Sequence, residues 1–215
     1  MIVSKGSRVR SDDRRDATND ALDIVQTRRV MLAPLRTAED HQWAFRLATA
    51  SGVADRWFLR GEPEITFESF MQAMHHMALS RLIVGRSNAL PLAHAVCFDL
   101  DLRHRHASVG VAADPSVHGT GLALEGLGLF ILDILRRFDL RKLYAEAISY
   151  NLPQYASGAG RWYDIEGCLT AHEYVDGEYW DVYVLAIDRH KFLELVASKR
   201  WGKVSRGLSQ TVDAD

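Results

Sequence analysis

Two glycines, Gly119 and Gly121, stand immediately before one of the most apolar stretches of the chain, in "DPSVHGTGLALEGLGLFILDILRRF" from Asp114 to Phe138. Glycine reaches backbone conformations closed to other residues and leaves peptide N–H groups uncovered, so such a loop can wrap a small anion. A helix starting behind it adds free N-terminal N–H groups and the positive end of its dipole. The spacing suits a phosphate-bearing ligand, while Gly-x-Gly before a helix also serves as a plain tight turn. Histidine pairs, His75-His76 and His104/His106, are the other groups whose types invite chemistry. Adjacent histidines on a helix diverge by about 100°, and the i, i+2 pair shows no evident third ligand, so no metal is expected. Cys97 and Cys168 lie far apart without C-x-x-C spacing, which argues against a disulfide framework or a zinc site and fits a reducing compartment.

The elements that must hold these groups belong to a chain of 215 residues, 47% hydrophobic and 25% charged, enough for one well-buried domain. A formal net charge of -2 argues against a general polyanion binder, so nucleic acid is not the expected partner, although "SKRWGK" is a local basic run. No apolar run reaches the length of a membrane span, and "MIVSKGSRVRSDDRRDATND" lacks the apolar centre of a signal peptide. A cytoplasmic protein without a membrane partner is expected.

Residues 1–20 mix both charges with Ser, Gly and Asn and read as a flexible tail, residues 21–200 as one domain, and 201–215 as a second tail. "RRVMLAPL" reads as a strand. "TAEDHQWAFRLATASG" reads as a helix capped by Thr37 and ended at Gly52. In "TFESFMQAMHHMALS" the residues Phe67, Phe70, Met71, Met74 and Met77 recur at helical spacing and are expected to pack in the core. "RLIVGR", "LAHAVCFDLDL" and "HASVGVAA" form three antiparallel strands. The helix from about Leu122 to Phe138 carries Glu125, Asp133, Arg136 and Arg137 on one narrow stripe, with the remainder buried against a sheet. "KLYAEAIS" is a strand, "NLPQYASGAGRWY" is irregular or briefly helical, "IEGCLTAHEYV" and "YWDVYVLAI" form a hairpin about "DGE", and a helix from Arg189 to about Lys199 closes the domain.

This order resembles the GNAT superfamily of N-acetyltransferases, and within it the branch of ribosomal-protein N-terminal and polyamine or small-amine acetyltransferases. Ser116, Gly119 and Gly121 occupy the positions of the family loop Gln/Arg-x-x-Gly-x-Gly/Ala, with His118 and Thr120 where the branch often has Arg and Lys. The segment then follows the branch through Glu125, Phe138, Leu143 and Asn151, and "IEGCLTAHEYVDGEYWDVYVLAI" is similar to its closing hairpin. The resemblance implies an α/β (α+β) fold with a mixed, mostly antiparallel central sheet of about seven strands flanked by helices. It also implies acetyl-CoA as co-substrate, in a cleft between two central diverging strands. The loop N–H groups of His118, Gly119, Thr120, Gly121, Leu122 and Ala123 would hold the pyrophosphate, with the Thr120 hydroxyl assisting. Val111 to Ala113 would pair with the pantetheine arm and Asn151 would support it.

The catalytic positions depart from the family pattern. Ser108 stands where the branch often has a glutamate, leaving His106, on the same strand face, and Asp99 and Asp101, on the neighbouring strand, as substitutes for the base. Gly158 stands where relatives carry a tyrosine, leaving Tyr155 or Ser157 to protonate the departing thiolate. The leading expectation is acetyl transfer to a primary amine of a small molecule or peptide. A coenzyme A-binding regulatory module that has lost catalysis, or an acyltransferase using a longer or carrier-bound donor, stands beside it. A homodimer is open.

Overall fold

The computed structural model describes residues 26–54, 57 and 64–197, the side chains of Ser157 and Ala197 excepted. Both expected tails, residues 1–20 and 201–215, lie outside the described residues. Helix α1 (Ala38–Ala48) starts where the sequence places its cap: Thr37 accepts the Asp40 N–H while the Asp40 carboxylate accepts the Thr37 N–H. Helix α2 (Phe67–His75) repeats the device with Thr66 and Ser69. Of its apolar stripe, Phe70 is fully buried, whereas Phe67 is 41% exposed and meets the edge of Phe45 at 5.4 Å.

The seven-stranded sheet comprises β1 (Val30–Ala33), β2 (Leu79–Gly85), β3 (Pro91–Asp101), β4 (His106–Ala113), β5 (Lys142–Ile148), β6 (Asp164–Val175) and β7 (Glu178–Asp188), in the order β1-β2-β3-β4-β5-β7-β6. Every neighbouring pair is antiparallel except β4–β5. That parallel pair is short, joining only His106–Ser108 to Lys142–Tyr144. Beyond it β4 stays bonded to β3 through Ala113, and β5 stays bonded to β7 through Ile148. The sheet therefore opens as two intact halves rather than by fraying. The β6–β7 hairpin turns at Asp176-Gly177, both with positive φ, as the two-residue turn chemistry of "DGE" requires.

Helix α3 (Leu122–Arg137) lies across β1 to β4 on one face. It approaches so closely that a Cβ at Gly126 would sit 2.3 Å from Ile83. Helix α4 (Arg189–Ala197) adds Phe192 to the same core, and the Arg189 guanidinium donates to the Leu135 and Leu140 carbonyls at the α3 C-terminus. On the other face α1 and α2 enclose a second core around Trp57, Phe70, Val96 and Ala112.

The polar stripe expected on α3 is corrected in part. Arg136 and Arg137 are exposed, but Glu125 and Asp133 are buried. Asp133 accepts from Arg81, itself buried, at 3.2 Å and from Arg137 at 2.7 Å; Glu125 accepts from Arg29 and Thr27. A carboxylate loses its hydration on burial and stays charged only where donors replace that water, which these arginines do.

Candidate active site

The parting of β4 and β5 creates a cavity of about 610 Å3. Its walls are Val109–Ala113 on one side and Ala145–Ile148 on the other. Leu124 and Leu127 of α3, Trp162, Val182, Leu185 and Ile187 also line it, and Gly52, Val53 and Trp57 border it from the α1 side. The loop from β4 to α3 closes one end. Asp114 caps a single 3-10 turn, Pro115–Val117, by accepting the Ser116 N–H at 2.9 Å; the same Ser116 contacts hold the Asp114 carboxyl below its usual range.

Gly119 and Gly121 then both take left-handed backbone, φ 74° and 72°, and Gly121 is the N-cap of α3 without any side-chain cap. Among the described residues, the N–H groups of Gly119, Gly121, Ala123 and Leu124 have no acceptor. Backbone donors left open in this way at a helix N-terminus can hold an anion. Behind it, Arg29 pairs with the buried Glu125 and reaches the Thr120 carbonyl at 3.4 Å, tying the loop to β1.

Of the residues singled out from sequence, Val111, Ala113, His118, Gly119, Gly121, Ala123, Asn151 and Tyr155 line the cavity. Thr120 does not present its hydroxyl to the cavity: Oγ1 donates to the Val117 carbonyl at 2.6 Å and accepts the Leu122 N–H at 3.2 Å. Its work is to shape the turn, which corrects the expected phosphate contact, and Leu122 likewise has its N–H taken. The segment Ser149–Gly158, a 3-10 helix, carries Asn151 and Tyr155. The buried Tyr163 hydroxyl donates to the Tyr155 carbonyl at 2.9 Å and fixes that backbone; burial raises the Tyr163 pKa, and the adjacent Tyr155 adds to the shift. The Ser157 side chain lies outside the described set.

His106 lies on the paired end of β4 and does not line the cavity. Ser108, two residues on, donates to Asp99 at 3.5 Å and is likewise outside it. A carboxylate, Asp101, stands beside the His104/His106 pair. Donor atoms of Asp101, His104 and His106 lie within 4.8 Å of one another. The methionines of α2 pack into the second core and line no part of the cavity, so the described residues give no wider acyl pocket there.

Glu146 is the residue the sequence reading passed over. It is exposed, and it is the one carboxylate among the residues lining the cavity. Alternation in "KLYAEAIS" carries the signal: Leu143 and Ala147 face the α3 core, so Tyr144 and Glu146 face the other way. On β4 the same face presents Gly110, where a Cβ would stand 3.2 Å from the Trp57 ring. Trp57 thus roofs the point where the strands part, and Glu146 stands on the opposite strand.

No protein-family model matches the sequence, and no curated protein does. Solved structures do match. Spermidine/spermine N-acetyltransferase SpeG from Vibrio cholerae superposes with a TM-score of 0.62 at 19% identity, over 77% of this chain and 96% of the other. A GCN5-related N-acetyltransferase from Brucella melitensis gives 0.62 at 16% identity over 84% of each chain. A GNAT-family acetyltransferase from Bacillus anthracis gives 0.61 at 16% identity, over 78% of this chain and 99% of the other. The chain has the GNAT fold.

On this GNAT sheet the departure at Gly158 has a steric cause. A Cβ there would meet Trp162 Nε1 at 2.1 Å and Tyr163 at 2.7 Å. The indole of Trp162 fills the space a tyrosine would need, and Trp162 itself lines the cavity. Tyr155, three residues earlier, is the tyrosine among the lining residues.

Proposed function

We propose that this protein transfers an acetyl group from acetyl-CoA to a primary amine of a small molecule or peptide. The observation that carries the reading is that one continuous cavity joins the unbonded N–H groups at the α3 N-terminus to the gap between β4 and β5. The residues present fit such a co-substrate: backbone donors for a pyrophosphate, an unpaired strand edge along Val109–Ala113 for an amide-bearing arm, and apolar walls between them. Acetyl-CoA supplies an activated acyl carbon and a thiolate leaving group.

The protein's own part is to orient, desolvate and move two protons. Glu146 attracts the ammonium of the acceptor and takes its proton, since an ammonium has no lone pair with which to attack. The amine nitrogen bonds the acyl carbon, the carbon–sulfur bond breaks, the Tyr155 hydroxyl gives its proton to the sulfur, and the second nitrogen proton, which the new amide must lose, restores the phenol. A phenol of ordinary pKa about 10 is matched to a thiol of about 8.5. Trp57 and Gly110 leave a flat, apolar approach to the strand opening for the acceptor chain.

The test is acetyl-CoA consumption against polyamines, aminosugars, amino acids and N-terminal peptides, with coenzyme A binding measured in parallel. Amine-dependent thiol release is expected for one of these classes. The filled position at Gly158 and the serine at Ser108 favour one alternative, a coenzyme A-binding module without turnover. Tight binding with no thiol release against any amine class would establish that alternative, and absence of binding would remove both.

A further inference from the structure

The turn between β3 and β4, at the paired end of the sheet and outside the cavity, gathers a carboxylate and two imidazoles. We propose that Asp101, His104 and His106 bind a divalent transition cation such as Zn2+ or Ni2+.

Each residue offers one ligand atom, and the three atoms lie within 4.8 Å of one another. Two imidazoles and one carboxylate are the donor set of borderline cations, and three protein ligands leave a further position for water. The turn holds this set in place before any cation arrives. Asp101 and His106 are register partners, and the Asp101 Oδ1 accepts the His104 N–H at 2.7 Å. Arg105 takes φ 60°, its guanidinium bonds the Asp139 carboxylate at 2.7 Å, and the Arg105 carbonyl accepts the Arg141 N–H at 2.8 Å. The turn is thereby pinned to the segment entering β5.

The rings are also oriented. His104 and His106 lie nearly parallel with centroids 6.2 Å apart, and His106 stands edge-on to Tyr144 at 5.7 Å. His104 Nδ1 stands 2.8 Å from Asp101 Oδ2. A cation bound to both atoms would displace any proton between them. Two nearby cations have their own counter-charges, Arg105 with Asp139 and Lys142 with Glu166, which limits their repulsion of an incoming dication.

The experiment is titration of the chelator-treated full chain with ZnCl2 by calorimetry, alongside thermal melts. One equivalent is expected to bind in the micromolar range and to raise the melting temperature by a few degrees. His104→Ala and Asp101→Asn are each expected to weaken binding by about 10- to 100-fold, while His75→Ala leaves it unchanged. His104 lies in the solvent-facing turn and Asp101 at the strand end before it, and metal-free melts verify that the variants fold. Absence of binding at about 0.1 mM ZnCl2, far above a micromolar constant, would overturn the proposal. Equal affinity in wild type and His104→Ala would do the same.

Discussion

Along the β4–α3 bank of the cavity the groups that can bond a ligand are backbone N–H donors, positioned by Gly119 and Gly121. Along the β5 bank they are side chains, Glu146, Asn151, Gln154 and Tyr155, delivered by a strand and a 3-10 segment. The two constructions fail differently. A backbone cradle is indifferent to most side chains around it but is strained by a Cβ where the chain turns left-handed. A side-chain bank keeps its fold when one group is replaced and loses only the chemistry of that group. Substitutions on the two banks should therefore be told apart by whether they change the backbone or only one group's chemistry.

The sharpest way to break this contrast is Gly121→Glu. A residue with a Cβ at φ 72° costs roughly 1–2 kcal/mol in backbone strain, and the new carboxylate would repel an anion at the site proposed for phosphate. Coenzyme A binding is expected to fall below detection in calorimetry, with the melt confirming a folded chain. Unchanged affinity in a folded variant would remove the anion-cradle assignment.

On the opposite bank, Tyr155→Phe keeps the ring and removes only the hydroxyl. Turnover is expected to drop by roughly 10²- to 10⁴-fold with coenzyme A affinity almost unchanged, while Ser157→Ala does much less. If the serine variant is the inactive one, the proton donor is Ser157; full activity in both variants excludes both hydroxyls. Glu146→Gln comes next, lowering kcat/KM by about 10²-fold at neutral pH. Its deficit should shrink as pH rises towards the acceptor's pKa, near 10 for an alkylamine, because the free amine then needs no base. A deficit independent of pH would assign Glu146 to acceptor binding alone.

The same contrast explains what could be read before the structure. Thr37, Gly119, Gly121 and the Asp176-Gly177 turn act on neighbours a few residues away, so local pattern reveals them. Glu125 and Asp133 look like a solvent stripe because the arginines that pair with them, Arg29 and Arg81, lie 96 and 52 residues away in the chain. His106 was a reasonable substitute base by strand alternation. Its distance from the cavity depends on how far β5 follows β4 before the strands part, a tertiary fact. Glu146 was legible in the alternation of its strand, but its meaning required the other wall of the gap.

The smallest expected effect tests the support beneath the acceptor side. His94 is fully buried in β3, with Ser80 Oγ at 2.8 Å from Nε2, no partner for Nδ1 among the described residues, and the Trp57 ring edge-on at 5.7 Å. Burial, with a lesser contribution from His41, lowers its pKa from 6.5 to about 3. In the window between those values the unfolded chain binds a proton that the folded chain refuses. The stabilising contribution is therefore complete above about pH 6.5 and is lost as pH falls, at roughly 1.4 kcal/mol per unit for one proton. Asp101, depressed from 3.8 to about 2, contributes only once the unfolded carboxylate begins to titrate, so the interval from pH 6.5 to 5 isolates the histidine from it. Urea denaturation across that interval should show His94→Leu losing less stability per pH unit than wild type, by about one proton's worth. Parallel slopes would mean that His94 is protonated in the folded state or that the region around Trp57 opens before the rest unfolds. Either result would make the side-chain bank softer than the backbone bank in stability as well as in construction.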